Sequence, residues 1–545
     1  MRNVTTVYTP GGHEPEQVNH ILGMYKNATI LITGGTGFLG KVLLEKALRC
    51  LEVKKIFLLV RQKDGLSVEQ RLVKLLQDAI FDKVLTSYGS VSQLTTKLEA
   101  VQIDLANDRL VQCDSATERR LLEETEIIFN VLASVKFNES IRNAIRTNVA
   151  GTRKLLQLAV RMERLRAVVH VSTLYSNCHR TEIEEKIYDD IPINYRTLLE
   201  LTTSLSEEEM NHFQHCFLGP LPNTYTFSKK CAEVMIRDEF SQLPIGIFRP
   251  PIVISTYREP LSGWTDNLNG PSGLCMGAVK GFIHVIWGNK VKKANLVPVD
   301  FCVNAIIVAA YDIRQKHSSY GSVKSFNPKP TEQQLTAPGN SSPIKSDGVP
   351  LYNYMYSEHS LTWGKYMELS SLGFGSRLHQ LVWSYSYMIV SNRPLFRMLS
   401  LCLHTLPAVA LDAYRKLRRK KPIYRRMVQK TNRALDMMGY FGLREWTVRS
   451  GNVRQMRSLL SSDEIRLLEF DMAAIDWKKY FLAYIPGIRR YWCGHQIRNE
   501  QAPSNKRFLY MQQLFHRLVW IWICIRVTRV SSEFLLNNLF TILVA

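Results

Sequence analysis

The sequence predicts an α/β protein built on a doubly wound parallel sheet, followed by a mainly α-helical C-terminal part. Three observations predict it. Short apolar runs recur through the N-terminal half with helical patterns between them. The first run passes directly into a glycine-rich turn and a helix. Beyond Trp363 the chain turns rich in Leu, Arg and aromatic residues at helical spacing. A chain of 545 residues also exceeds what one ordinary domain accommodates, so two or more packed units are expected.

Taken in order, residues 1–24 are polar, lack the apolar core of a secretory signal and are expected to form a flexible N-terminus. Residues 25–317 carry the sheet. Thr29 to Ile32 reads as a buried strand, Phe38 to Arg49 as a helix, and Ile56 to Val60 as the next strand. Further strand-like runs are Ile127 to Phe129, Val168 to Val171 and Ile245 to Phe248, with helical spacing between them, as from Val149 to Glu163. Residues 318–350, rich in Ser, Pro, Gly, Asn and Lys, read as a linker or surface loop. Residues 351–500 form the expected helical domain, and 501–545 a basic and apolar tail.

Composition narrows the chemistry. Ten cysteines are scattered without a C-x-x-C pair, which points to reduced thiols and to no zinc site. Seventy Lys and Arg against forty-eight Asp and Glu leave a net charge of +22, much of it in the last third of the chain. Such an excess suits an anionic membrane surface, a polyphosphate ligand or nucleic acid, and by itself does not choose among them.

The turn Thr33-Gly34-Gly35-Thr36-Gly37-Phe38-Leu39-Gly40 has the G-x-x-G-x-x-G spacing, placed between a strand and a helix. Missing side chains there let backbone N–H groups approach a pyrophosphate at a helix N-terminus. This is the mark of a Rossmann-type dinucleotide site. At the end of the second strand an NAD site would carry an acid for the ribose, whereas this chain has Arg61 and then Lys63. A cation there can pair with a 2′-phosphate, so NADPH is the expected cofactor.

Tyr225-Thr226-Phe227-Ser228-Lys229 gives Y-x-x-x-K, which on a helix brings phenol and ammonium to one face. A nearby ammonium is expected to favour the phenolate and to hold the nicotinamide ribose. Ser172 and Thr173 end the strand Val168–Val171, at the edge where ligands sit in open α/β sheets, and either hydroxyl could bond a substrate oxygen. Glycine turn, strand-end hydroxyls and Y-x-x-x-K in this order resemble the extended short-chain dehydrogenases, in which the tyrosine protonates a carbonyl oxygen as hydride arrives.

Within that class the chain is similar to the alcohol-forming fatty acyl-CoA reductases, particularly insect-like ones. The blocks that carry the resemblance are ILITGGTGFLGKVLLEKALR, HVSTLYSNC, TYTFSKKCAE, REPLSGWTDNLNGPSG, VPVDFCVNA around Asp300, LHTLPAVALDAY and FDMAAIDWKKYFLAYIPGIRRY, and the similarity spans roughly Met24 to Tyr491, most of the chain. The chain departs from the family pattern at Asn130-Val131-Leu132-Ala133, where His-x-Ala-Ala is usual, at Ile103-Asp104, where Gly-Asp is usual, and after Tyr491. The resemblance implies reduction of long-chain or very-long-chain fatty acyl-CoA to primary alcohol with two NADPH, through a bound aldehyde, and implies Asp104 as a cofactor-site residue. It also implies a cytosol-facing active site on the endoplasmic reticulum or peroxisomal membrane, as in wax-alcohol synthesis. A homodimer is left open, and no nucleic-acid partner is expected.

Near the C-terminus, Leu518 to Ile525 between Arg517 and Arg526 and the run Phe534 to Ala545 are apolar but shorter than the about 20 residues of a spanning helix. They read as a membrane-attached tail with snorkelling arginines and interfacial tryptophans. The basic cluster Arg415 to Arg426 fits CoA phosphates or a membrane surface. Two rival readings remain at this level: a reductase of another lipid carbonyl, sterol-type, and a catalytically silent membrane lipid-binding protein.

Overall fold

Seven strands form one parallel sheet: β1 (Thr29–Thr33), β2 (Lys55–Arg61), β3 (Leu98–Ile103), β4 (Ile127–Asn130), β5 (Ala167–Val171), β6 (Ile245–Arg249) and β7 (Leu351–Asn353). Their order is β7-β6-β5-β4-β1-β2-β3. The computed structural model describes residues 20–62, 65–279, 281–321, 348–372 and 387–492, with isolated positions between 511 and 529. β1, β4, β5 and β6 are buried along their whole length, which is what helices on both faces demand and why these strands read as unbroken apolar runs. The edge strand β3 (LEAVQI) is buried only at alternating intervals and escapes a search for continuous apolar runs. β7 is three residues long and pairs Tyr352 with Phe248.

The strand order changes direction at β1, which has β2 on one side and β4 on the other. That reversal opens a crevice at the carboxyl ends of β1 and β4, the place where doubly wound sheets take ligands. The helices that matter for it are α1 (Phe38–Cys50), α2 (Val68–Leu76), α3 (Gly151–Val160), α4 (Thr224–Phe240) and α5 (Val299–Gly321). α5 packs on β5 and β6 with Ile306, Ile307 and Val308 fully buried. At its start the buried Asp300 carboxylate accepts the backbone N–H groups of Tyr257, Arg258 and Glu259 at 2.9, 2.8 and 3.1 Å.

The chain forms two compact units, each assembled from separate stretches. The first holds the sheet and consists of Met1–Leu261, Val297–His359 and Trp446–Ile475. Its late segment is tied in by Trp446, whose indole N–H donates to the Cys178 carbonyl at 3.0 Å. Glu464 is buried there and accepts the N–H groups of Ile21 and Leu22 at 2.8 and 3.0 Å. Residues His20–Tyr25 form a short helix with Ile21 and Tyr25 fully buried.

The second unit, Ser262–Leu296, Ser360–Glu445 and Asp476–Ala545, is mostly helical among its described residues. It contains α6 (Trp363–Leu372), α7 (Arg393–Ser400), α8 (Leu406–Leu417), α9 (Tyr424–Gly442) and α10 (Trp477–Gly487). α6 and α10 pack through aromatic rings, and the Tyr366 and Tyr484 hydroxyls lie 3.1 Å apart. One π turn, Leu401–Thr405, joins α7 and α8 into a continuous helix. That helix, Arg393–Leu417, is long and apolar enough to cross a membrane, the one such helix among the described residues. Of the expected linker, residues 322–347 lie outside the described residues, and so does the expected tail apart from isolated positions.

Candidate active site at the carboxyl edge of the sheet

The turn after β1 is shaped by its glycines. Gly34 has φ +70°, and a Cβ on it would lie 2.8 Å from the Leu132 nitrogen. A Cβ on Gly40 would lie 2.2 Å from the Gly34 carbonyl oxygen. Gly37 begins α1 with no side-chain cap, so no capping side chain competes with a ligand for the helix N-terminus, as Ser or Asp at that position would. A side-chain-free bend, an uncapped helix N-terminus and a topological switch point fit the pyrophosphate of a nicotinamide dinucleotide.

Thr33 does a different task from its neighbours in the turn. Its hydroxyl donates to Asn130 Oδ1 at 2.8 Å and accepts the N–H groups of Val131 and Leu132, each at 3.1 Å. Asn130 in turn reaches Thr152 Oγ1 at 3.3 Å and His170 Nδ1 at 3.0 Å. Burial pushes the His170 imidazole well below its usual range, so it is neutral. The residue that replaces the usual histidine is therefore engaged inside the sheet, locking the two loops that border the crevice.

Arg61 is exposed at the end of β2, and Arg71 of α2 donates to the Arg61 carbonyl and lies 3.4 Å from the Thr36 hydroxyl. Sequence reading found Arg61 and missed Arg71, whose signal was only its place one turn inside a capped helix. Lys63 lies outside the described residues. Asp104 follows β3 and accepts the Ala106 N–H at 2.8 Å, which turns the loop at that strand's carboxyl end.

α4 starts with Asn223, whose side chain accepts the Thr226 N–H at 2.9 Å, and places Tyr225 in its first turn. Tyr225 is half-buried and stacks with Phe137 at 6.1 Å between ring centres, with the Thr173 hydroxyl near enough to act on its phenol. Burial pushes the phenol up to about 12, with the Thr173 hydroxyl opposing it. Lys229 is buried and pushed down to about 8, and its ammonium donates to the Val171 carbonyl at 2.6 Å. The expected phenolate-favouring ammonium is thus held against the strand end, and desolvation dominates the phenol's acidity.

The two strand-end hydroxyls part company. Thr173 faces Tyr225, whereas Ser172 is buried and donates to the Glu233 carboxylate, which also accepts from Ser176 at 3.0 Å. Glu233 pairs with the fully buried Arg249 at 2.9 and 2.7 Å, and Arg249 donates onward to the carbonyls of Glu184 and Lys186. Neighbouring guanidinium and hydroxyl donors outweigh the burial of Glu233 and hold its carboxyl below the usual range. Sequence reading missed Glu233, although its place four residues after Lys229 puts it on the same helix face. It also missed Asn148, buried in the π turn before α3, which bonds the Ser134 N–H at 2.8 Å and Ser228 Oγ at 2.8 Å and so couples the β4 loop to α4.

Comparison with known proteins bears on both parts of the chain. Two family models match, both described as male sterility protein: an NAD-binding model over residues 32–306 and a Sterile model over residues 403–495. The chain is 33% identical over 476 residues to fatty acyl-CoA reductase wat of Drosophila melanogaster, covering 86% of this chain and 84% of that one. It is 31% identical over 507 residues to fatty acyl-CoA reductase 2 of Bos taurus, covering 92% of both. Its fold is similar to the crystal structure of the terminal R domain from the myxalamid PKS-NRPS biosynthetic pathway, with a TM-score of 0.50 at 19% identity over 85% of this chain and 91% of that one. A glycine cradle, a Tyr–Lys pair on one helix and relatives of this similarity along both parts of the sequence agree: the chain belongs to the fatty acyl-CoA reductase family.

Proposed function

We propose that this chain reduces long-chain or very-long-chain fatty acyl-CoA to the primary alcohol, consuming two NADPH and releasing CoA, with the aldehyde retained between the two reductions. The observation that carries this reading is Tyr225 beside Thr173, with Lys229 bound to the Val171 carbonyl, at the same sheet edge as the glycine cradle. When bound, the nicotinamide supplies hydride. In the first reduction Tyr225 Oη donates its proton to the thioester oxygen as negative charge develops there, and Thr173 stabilises the same oxygen. A phenol raised by burial is protonated at neutral pH, the state a proton donor requires. The hemithioacetal hydroxyl then returns its proton to the Tyr225 phenolate as the C=O bond re-forms and the C–S bond breaks, CoA leaving as the thiolate. The aldehyde oxygen meets the same two hydroxyls, with Tyr225 again protonated, for the second proton. Lys229, fixed on the Val171 carbonyl, has its remaining N–H groups for the nicotinamide ribose.

NADPH preference is supported by Arg61, exposed at the end of β2, and by Arg71, which bonds the Arg61 carbonyl and reaches Thr36, two cations in a setting for a 2′-phosphate. Membrane attachment is supported by the apolar windows of the tail and by the apolar helix Arg393–Leu417. The test is lipid analysis after expression of wild type and Tyr225→Phe in a host without wax alcohols, with NADPH oxidation measured on purified protein across an acyl-CoA series. Fatty alcohol from wild type and its loss in Tyr225→Phe is expected. Equal alcohol yields would overturn the mechanism, and turnover only of sterol-type carbonyls would favour the rival reductase.

A further inference from the structure

The helix Arg393–Leu417 has two apolar faces. One is packed: Phe396, Leu399, Leu403 and Ala408 are buried within their unit. The other is bare, with Leu395, Met398, Leu401, Leu406, Val409 and Leu417 exposed by 42, 43, 51, 55, 43 and 84%. The spacing is three residues from Leu395 to Leu401 and again from Leu406 to Val409, and five across Leu401–Leu406. That five-residue step coincides with the π turn Leu401–Thr405, whose wider turn keeps the stripe on one side of the helix. Soluble surfaces rarely leave so continuous an apolar strip uncovered.

A spanning arrangement is at odds with the neighbours. His404 sits in the π turn with its Nε2 accepting the His284 N–H at 2.8 Å, and α9, packed beside α8, exposes Arg425, Arg426, Lys430 and Arg433 or leaves them half-buried. A bilayer traversed by α8 would have to admit these charges too, at a cost of several kcal/mol.

The helix ends at a hairpin tip of fixed structure. Asp412 accepts the N–H groups of Ile423, Tyr424 and Arg425 at 2.8, 3.0 and 2.8 Å, which pins the turn. On this tip Lys416, Arg418, Arg419, Lys420, Lys421, Arg425 and Arg426 are all exposed, and none forms an ion pair among the described residues. Apolar stripe and unpaired cations are thus contiguous on one element.

We propose that this hairpin is a monotopic dock for an anionic phospholipid bilayer. The stripe from Leu395 to Leu417 enters the acyl boundary, and the tip from Lys416 to Arg426 meets lipid phosphates. Charge complementarity selects this occupant: seven unpaired cations beside an apolar strip match the two layers of a bilayer surface, headgroup and acyl chain. This deepens the membrane-attached reading above, and assigns the contact to a segment separate from the C-terminal tail.

The test uses the full-length protein and flotation with phosphatidylcholine vesicles, with and without phosphatidylserine. Leu401→Asp/Leu406→Asp and Lys420→Glu/Lys421→Glu are compared with wild type. Both variants are expected to lose about tenfold or more in vesicle affinity, the second only on phosphatidylserine vesicles and in a salt-dependent way. Their unfolding temperature and their KM for acyl-CoA in detergent are expected to stay at the wild-type values, which separates docking from misfolding and from CoA binding. If wild type floats and both variants float equally well, the tail holds the membrane and the hairpin proposal falls while the membrane reading stands. If wild type itself does not float, both fall. A raised KM in detergent would assign the tip to CoA phosphates, and conversion of a dimer to monomer with unchanged flotation would assign the stripe to a second copy, either result overturning the proposal.

Discussion

A strand whose last residues alternate in direction separates two adjacent hydroxyls into different chemistries. Thr173 reaches Tyr225, and Ser172 reaches Glu233. Sequence could locate the pair but not divide it, because which hydroxyl faces the crevice depends on where α4 lies across the strand end. Thr173→Ala is expected to lower kcat about a hundredfold, with a stability loss of about 1 kcal/mol from the Tyr175 N–H that its hydroxyl caps. Ser172→Ala is expected to cost about 1–3 kcal/mol in urea unfolding, since it removes a donor from a buried carboxylate, with a smaller effect on rate. Equal rate losses would reassign the roles. The acid–base behaviour follows from the same burial. Lys229 is pushed down to about 8 and Tyr225 up to about 12, so only the lysine titrates near neutrality. kcat/KM is expected to fall as pH rises through about 8, where the ammonium loses its proton. Lys229→Arg, which stays charged, is expected to move that fall upward, and an unchanged profile would show that another group titrates.

At the scale of elements, the strands legible in the sequence are those buried on both faces, because sheet and helix together demand an unbroken apolar run. β3 lies at the edge and mixes Glu99 and Gln102 into its pattern, and β7 is only three residues long, so neither carries a periodic signal. The apolar helix from Arg393 to Leu417 was hidden for a related reason, since Arg397, His404 and Asp412 interrupt its hydropathy and only the packing shows that two of these face inward. The glycine turn was legible because its constraint is local. Gly34→Ala, with φ +70° and a Cβ 2.8 Å from backbone, is expected to cost at least about 1 kcal/mol in stability and to weaken NADPH binding, read by fluorescence titration. Arg71 lay beyond that local signal. Arg61→Ala and Arg71→Ala are each expected to reduce the NADPH-over-NADH preference by about ten- to a hundredfold in kcat/KM, the equivalent of one charge-assisted hydrogen bond. An unchanged ratio in both would remove the 2′-phosphate assignment.

For the whole molecule, the +22 charge has a structural address only in part, the exposed hairpin tip being its densest described concentration. The first unit is closed by residues far apart in the chain. Glu464 at the end of a capping box also holds Ile21 and Leu22, a contact spanning more than four hundred positions. Glu464→Ala is expected to destabilise the unit by about 1–3 kcal/mol and to speed hydrogen exchange at Ile21 and Leu22 before the sheet is affected. Slow exchange at those amides in the variant would mean that the short helix holds without this anchor. During synthesis the sheet emerges from the ribosome well before Trp446 and Glu464 exist to complete it. A nascent chain of this kind waits, the Cys178 carbonyl without the Trp446 indole and the amides of Ile21 and Leu22 without the Glu464 carboxylate, until nearly five hundred residues have been made. Shortened versions that stop before Trp446 would be born unfinished.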